Sequence, residues 1–249
     1  TCLYLRISNH QIEAMSDIIQ SGFDNEIQPS YLYKDYKSTI LRAPTKPLVM
    51  PKKSKLKLTG PVFKDFKLGV LDHDLTKNAI KNGEPLGERI VVHGKVTNEK
   101  GNPIPYTLLE IWQANSSGRY IHKADQHDAP LDQNFSGAGR CMTNAEGNYK
   151  FYTIKPGAYS WGNHPNAWRP NHIHFSLFGG DITSRLITQM YFPGDPLLEF
   201  DPMVQSIPLK GRDLLISKFD LDLTEPDFAL GYRFDIVLRG HYATPFENL

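Results

Sequence analysis

The residues in this 249-residue chain best suited to chemistry are two histidines one position apart, His172 and His174. They stand in the stretch Trp168-Arg169-Pro170-Asn171-His172-Ile173-His174-Phe175-Ser176-Leu177. In a strand, alternate side chains share a face. His172 and His174 would then project side by side and chelate one metal ion, with Ile173 and Phe175 turned the other way into a core. A solvated strand face gives the same pattern, so the metal reading needs further donors and a pocket. Cysteine is scarce: only Cys2 and Cys141 are present, which nearly excludes a cysteine-rich zinc site. No carboxylate stands at an evident motif spacing from the histidines. The long loops upstream contain Tyr120 and Tyr159. A phenol titrates near pH ~10, so it is a poor ligand unless a highly charged cation such as ferric iron expels its proton. Zinc would normally take histidine with cysteine or carboxylate. Spacing alone does not select these two tyrosines, and a half-buried loop anchor is the commoner role for each. Asp72-His73-Asp74 is a second place to look for a metal, but a capped turn explains it better.

Positioning such residues requires a rigid frame. Residues 90–97 and 107–113 read as strands separated by a turn at 98–103. A long polar loop follows at 114–146, a length that is uncommon unless functional. Residues 148–154 return as a strand, 155–171 are irregular, and the histidine strand follows. Residues 186–192 form a further strand. Residues 196–223 are mixed, with a short helix expected near 213–219. Residues 232–239 alternate, with Tyr232, Phe234, Ile236 and Leu238 on one face. Short strands with turn signals and long loops predict an all-β protein, a β-sandwich with a few short helices. The expected organisation is a poorly ordered segment at 1–30, with a short helix at 11–19, and one catalytic domain at 31–249. Within that domain, 31–60 is an extended arm broken by Pro44, Pro47 and Pro51. Lys55-Leu56-Lys57-Leu58 alternates as a strand with a solvated face. Met15-Ser16 is a candidate natural start, which the intact mass of the natural protein would check.

Hydrophobic content of 40% and charged content of 22% are those of an ordinary globular protein. A formal net charge of +1 creates no strong field toward nucleic acid or an anionic membrane. No apolar run approaches the roughly 20 residues that span a bilayer. With two cysteines and no secretory pattern, a reducing, cytoplasmic setting is expected.

Several motifs in order resolve the open choice of donors. These are Trp112-Gln113-Ala114-Asn115, Gly118-Arg119-Tyr120, Gly139-Arg140-Cys141, Thr153-Ile154-Lys155-Pro156-Gly157-Ala158-Tyr159 and Trp168 through Phe175. Together with Leu186 through Phe192, Tyr232 through Gly240 and Phe246-Glu247-Asn248, they closely resemble the intradiol ring-cleavage dioxygenases. Asp35-Tyr36-Lys37-Ser38-Thr39-Ile40 and Gly87-Glu88-Arg89-Ile90 extend the match upstream, so it covers residue 31 to the end. The match is nearest the β-subunit type of that family, whose enzymes act on protocatechuate. The resemblance implies a non-haem Fe(III) held by Tyr120, Tyr159, His172 and His174. It implies that Arg169 and Gln189 stand beside the substrate and that Tyr159 also serves as a base. Trp161 and Tyr191 would line the pocket, and Tyr36 and Arg42 would lie near the substrate. It further implies an α subunit completing the site in a hetero-oligomer, with protocatechuate and dioxygen as reactants. Ser160, where the family often has proline, is a departure that could loosen the loop carrying Tyr159. Ala138, where the family often has cysteine or glycine, is another. Relatives acting on catechol or hydroxyquinol share the ligand set but typically carry an N-terminal helical domain. Residues 94–105 and 144–149 also resemble the strand-turn pattern of transthyretin-like binding modules, which have no need of this donor set.

Overall fold

The protein is described by a computed structural model covering residues 26–47, 66–178, 185–238 and 242–247. The helix expected at 11–19, the start at Met15, the lysine-leucine strand and the far half of the arm lie outside these residues.

β-Branched residues gather at Ile90-Val91-Val92, and they nucleate the nine-residue strand β1 (Arg89–Thr97). Strand β4 (Asn148–Ile154) runs antiparallel along one edge of β1. The other edge is taken in succession by β10 (Leu230–Arg233) and β11 (Ile236–Val237), both parallel to it. Strand β9 (Lys218–Phe219) pairs outside β10. The second sheet has the order β3 (Ala138–Met142), β2 (Leu108–Trp112), β7 (His172–Phe178), β8 (Arg185–Tyr191), antiparallel throughout. The two sheets enclose one core. Ile90, Val92 and Phe151 come from the first, and Leu109, Ile111, Ile173, Phe175 and Leu177 from the second. A fully buried side chain of this kind contributes about 1.5–3 kcal/mol. Ile173, Phe175 and Leu177 together therefore hold β7 in place by roughly 5–9 kcal/mol. The expected β-sandwich is the observed architecture.

Where the structure departs from expectation, tertiary pairing is the reason. Strand β3 lies within the stretch read as loop. Ala138-Gly139-Arg140 has little β propensity, and its extended form comes from the ladder to β2 and from the Arg140 amide donating to the Asp72 carbonyl (2.8 Å). The irregular stretch at 155–171 contains a two-stranded ribbon, β5 (Tyr159–Ser160) with β6 (Trp168–Arg169). The helices of 196–223 come earlier than expected. Asp201 caps α2 (Pro202–Gln205), whose first position is Pro202, and Pro208 begins α3 (Leu209–Arg212). Only a 3₁₀ turn, Asp213–Leu215, follows before β9. The last strand is broken because the Asp235 carboxylate accepts the Lys95 amide (3.0 Å). Tyr232, Phe234, Ile236 and Leu238 nevertheless all enter the core as the alternation required. Asp72-His73-Asp74 is a turn: Asp74 Oδ1 accepts from the Thr76 amide (3.1 Å) and hydroxyl (2.5 Å).

The arm is not extended throughout. Helix α1 (Ser38–Arg42) interrupts it, because the Thr39 hydroxyl donates to the carbonyls of Tyr33 and Tyr36 (both 2.7 Å) and turns the chain. Asn163 fastens this turn to the body. It accepts from the Lys37 amide (2.9 Å) and donates to the Asp35 carbonyl (2.7 Å). No helix among the described residues is long and apolar enough to cross a membrane.

Candidate metal centre

The ladder aligns the side chains that matter. On β8, Tyr191 is opposite His172 and Gln189 is opposite His174. On β2, Trp112 is opposite His174 and stacks on it, with centroids 4.8 Å apart and planes 5° apart. The two imidazoles face away from the sandwich core, their centroids 4.8 Å apart. His172 Nδ1 lies 2.7 Å from the Pro170 carbonyl, and His174 Nδ1 lies 2.9 Å from Glu247 Oε2. A carbonyl and a carboxylate only accept, so Nδ1 is the protonated nitrogen of each ring and Nε2 is left with its lone pair. Those Nε2 atoms are 3.3 Å from Tyr159 Oη and 3.1 Å from Tyr120 Oη respectively.

The two tyrosines arrive on loops packed back to back. Asn115 Oδ1 accepts from the amides of Ser117 (3.0 Å) and Arg119 (2.9 Å), which folds the segment before Tyr120 into a tight turn. The Tyr120 amide then donates to Asp125 (2.7 Å). The second loop is joined to the first where the Gly157 amide donates to the Asn115 carbonyl (2.9 Å). Gly118, at φ +79°, lies so close that a Cβ would stand 2.1 Å from the Ala158 carbonyl oxygen. Backbone strain and collision act together there. Gly118→Ala is therefore expected to cost about 1–3 kcal/mol and to displace Tyr159. A lower melting temperature would be the signature.

Ribbon β5–β6 sets Tyr159 directly opposite Arg169. Arg169, buried to 3% exposure, donates from Nε to Asp201 (3.0 Å) and from Nη2 to Gln189 Oε1 (2.6 Å) and Tyr191 Oη (3.1 Å). Its guanidinium lies 5.6 Å from the Trp161 ring, and Tyr36 packs on Trp161 at 5.4 Å. The Arg42 guanidinium lies over the Tyr36 ring, 4.8 Å from its centroid. The Trp161 indole N–H is buried without a hydrogen-bond partner among the described residues. The structure thus brings Tyr120, Tyr159, His172, His174, Arg169, Gln189 and Tyr191 together. Trp161 and Tyr36 adjoin them, and Arg42 lies one ring further out.

The electrostatics fit a strongly charged cation held by these donors. Burial, helped by Arg169 and His174, holds His172 well below the usual imidazole range, so it is a neutral ligand. Burial raises the Tyr120 phenol well above its ordinary range, and the neighbouring Tyr159 raises it further. Burial likewise raises Tyr159, against the opposing pull of Arg169. Two phenols this reluctant to ionise become ligands only for a cation charged enough to expel their protons, as trivalent iron is. Burial works against the charge on Arg169, but Asp201, then Tyr191 and Tyr159, hold its guanidinium firmly protonated.

Asp201, Glu247 and Trp112 belong to the site's surroundings although no spacing in the sequence marked them. The Asp201-Pro202 pair signals a helix cap, which accounts for only one of the two Asp201 oxygens. Cys141 is buried in the sandwich core and plays no part in the site.

On this β-sandwich, two imidazoles and two phenols gather beside one buried arginine, a His₂Tyr₂ arrangement suited to a single metal ion. Family models match in two parts: "Dioxygenase" over residues 58–240 and "Protocatechuate 3,4-dioxygenase beta subunit N terminal" over residues 24–54. The chain is 65% identical over 220 residues to the protocatechuate 3,4-dioxygenase beta chain of Burkholderia cepacia, spanning 88% of this chain and 94% of that one. It is 30% identical to the protocatechuate 3,4-dioxygenase alpha chain of Pseudomonas putida, over 70% of this chain and 83% of that one. A solved structure of 3-chlorocatechol 1,2-dioxygenase from Rhodococcus opacus 1CP aligns at TM-score 0.51 and 21% identity, over 73% and 71% of the two chains. That last likeness bears on fold alone. The chain belongs to the intradiol ring-cleavage dioxygenase family.

Proposed function

We propose that this chain is the β subunit of a cytoplasmic, non-haem Fe(III) intradiol dioxygenase. It cleaves protocatechuate with dioxygen to 3-carboxy-cis,cis-muconate, a step of aromatic catabolism in the β-ketoadipate pathway. The observation that carries this reading is the convergence of the His172 and His174 Nε2 atoms on the Tyr120 and Tyr159 hydroxyls. It occurs in a chain 65% identical to a protocatechuate 3,4-dioxygenase beta chain. A ferric ion held by these four residues supplies the Lewis acidity that favours an ionised catechol and the electron demand that opens its ring to dioxygen.

The chain's own residues divide the remaining work. Tyr159 is the base in its ionised form: burial keeps the free phenol protonated, so a cation at the site would first have to ionise it, and the phenolate would then accept a proton from a substrate hydroxyl. Arg169, itself buried, places fixed positive charge beside the ring and stabilises the anion that develops there. Gln189 and Tyr191 keep the guanidinium aimed. Trp161 walls the pocket and offers an indole N–H that has no hydrogen-bond partner among the described residues. Tyr36 and Arg42 stand toward the substrate's carboxylate, Arg42 acting at longer range through the ring it covers.

Residues 31–249 form one catalytic unit, whose arm also meets the α subunit. Helix α1 presents Leu41 at 92% exposure and Ile40 at 57%, an apolar face suited to a partner chain. The test is co-purification with the α chain, followed by turnover of protocatechuate and of catechol. A burgundy protein with a tyrosinate-to-iron band that opens protocatechuate far faster than catechol is the expected result. A colourless, iron-free preparation, or preference for catechol, would overturn it.

A further inference from the structure

Resting on the ferric-site reading above, we infer that Glu247 is a positioning residue for the metal. Its carboxylate fixes His174 with Nδ1 protonated, commits Nε2 to the pocket and makes His174 the stronger imidazole donor of the pair.

The asymmetry between the two histidines is the first ground. His172 Nδ1 donates to a neutral acceptor, the carbonyl of Pro170, two residues back in the link between β6 and β7. His174 Nδ1 donates to a full negative charge that comes from 73 residues downstream. A carboxylate on the rear nitrogen pushes electron density toward the front one, which a carbonyl does only weakly.

The second ground is how firmly that carboxylate is delivered. The Glu247 side chain is 1% exposed. Its amide donates to the Ile187 carbonyl on β8 (2.7 Å), and the Thr188 hydroxyl donates to the Pro245 carbonyl (2.7 Å). Thr244 exchanges hydrogen bonds with Val237 (2.9 Å each way). Gln28, from the opposite end of the chain, donates to the Ala243 carbonyl (2.8 Å) and accepts from the Phe246 amide (3.1 Å). The tail is thus sewn to β8, β11 and the N-terminal segment, and a buried carboxylate rides on its last described residue. Desolvating a carboxylate is costly unless a partner repays it, and the partner here is the back of a metal-donating imidazole.

The experiment compares Glu247→Ala and Glu247→Gln with the wild type in the αβ enzyme. Bound iron, the rate of iron loss to a ferric chelator, the tyrosinate-to-iron band and the melting temperature are measured. Glu247→Ala is expected to lose iron roughly 10–100-fold faster, the range seen when a metal ligand's orienting partner is removed. Glu247→Gln keeps the shape and an acceptor but not the charge. It is expected to stay folded and to shift the band to longer wavelength, because the iron becomes more electron-poor. Should the alanine variant fail to fold, the glutamine variant decides. Wild-type release and an unmoved band in folded Glu247→Gln would overturn the inference and leave the ferric reading intact. A wild type that binds no ferric iron would overturn both.

Discussion

A His172→Ala protein is expected to be colourless, to retain almost no iron and to leave protocatechuate untouched beside a normal α partner. In the proposed ligand set His172 is one of two nitrogen donors, and among the described residues nothing on its face of β7 can substitute. Its neighbours on the same face are Tyr191, which is committed to Arg169 and Gln189, and His174, which is already a donor. Losing an orienting partner costs a metal site about 10–100-fold in affinity, so losing a ligand outright should cost more than ~100-fold. The substitution also hollows out a buried position on β7, at about 2–5 kcal/mol if the cost resembles other large-to-small changes. His172→Asn separates the two effects, since its amide can still donate to the Pro170 carbonyl while offering the metal a poor ligand. Metal analysis and circular dichroism check both. Full iron retention by a folded His172→Ala protein would remove His172 from the donor set.

Arg169→Lys is expected to keep its iron and its colour while losing about 10²–10³-fold in kcat, the usual penalty for a lost charge-stabilising donor. KM should move far less. A charge is retained, but the fork is not: one ammonium cannot reach Asp201, Gln189 and Tyr191 along the directions the guanidinium uses. Asp201 is wholly buried and would be left with a poor partner. Breaking a buried pair costs about 3–5 kcal/mol, so a melting temperature lower by roughly 6–20 °C should accompany the kinetic loss. Steady-state kinetics at saturating protocatechuate, together with thermal unfolding, test this. If kcat stayed within a factor of about three of the wild type, Arg169 would have no role in stabilising the reacting ring.

The histidine strand was legible from residue order alone, because the two-residue period forces His172 and His174 to one side and Ile173 and Phe175 to the other. The sandwich was legible for the same reason at Ile90-Val91-Val92 and from Tyr232 to Leu238. The tyrosines were not. Tyr120 and Tyr159 meet only because two turns pack back to back at Gly118 and Gly157, and nothing in either loop announces the other. Only resemblance to a family connected them. Strand β3 was hidden because its pairing comes from β2 and not from its own residues. Asp201 was hidden, and Glu247 stood in a family motif without a role, because a carboxylate's partner, unlike a strand's face, has no period in the sequence. Helix α1 was hidden by the surrounding prolines, which suggested an extended chain, while Thr39 and Asn163 supplied the bonds that bend it.

Strand β7 is buried on both faces, with hydrocarbon on one and donors on the other. Its spacing is therefore as strictly fixed as its composition. One residue inserted between Asn171 and His172, with the downstream pairing slipping to match, would invert every side chain that follows. Both imidazoles would be driven into hydrocarbon, and Ile173 and Phe175 would confront the phenols. A single-codon insertion or deletion here would thus destroy packing and metal binding in one event, whereas an equal change in an exposed turn such as 98–102 would alter only the length of a loop.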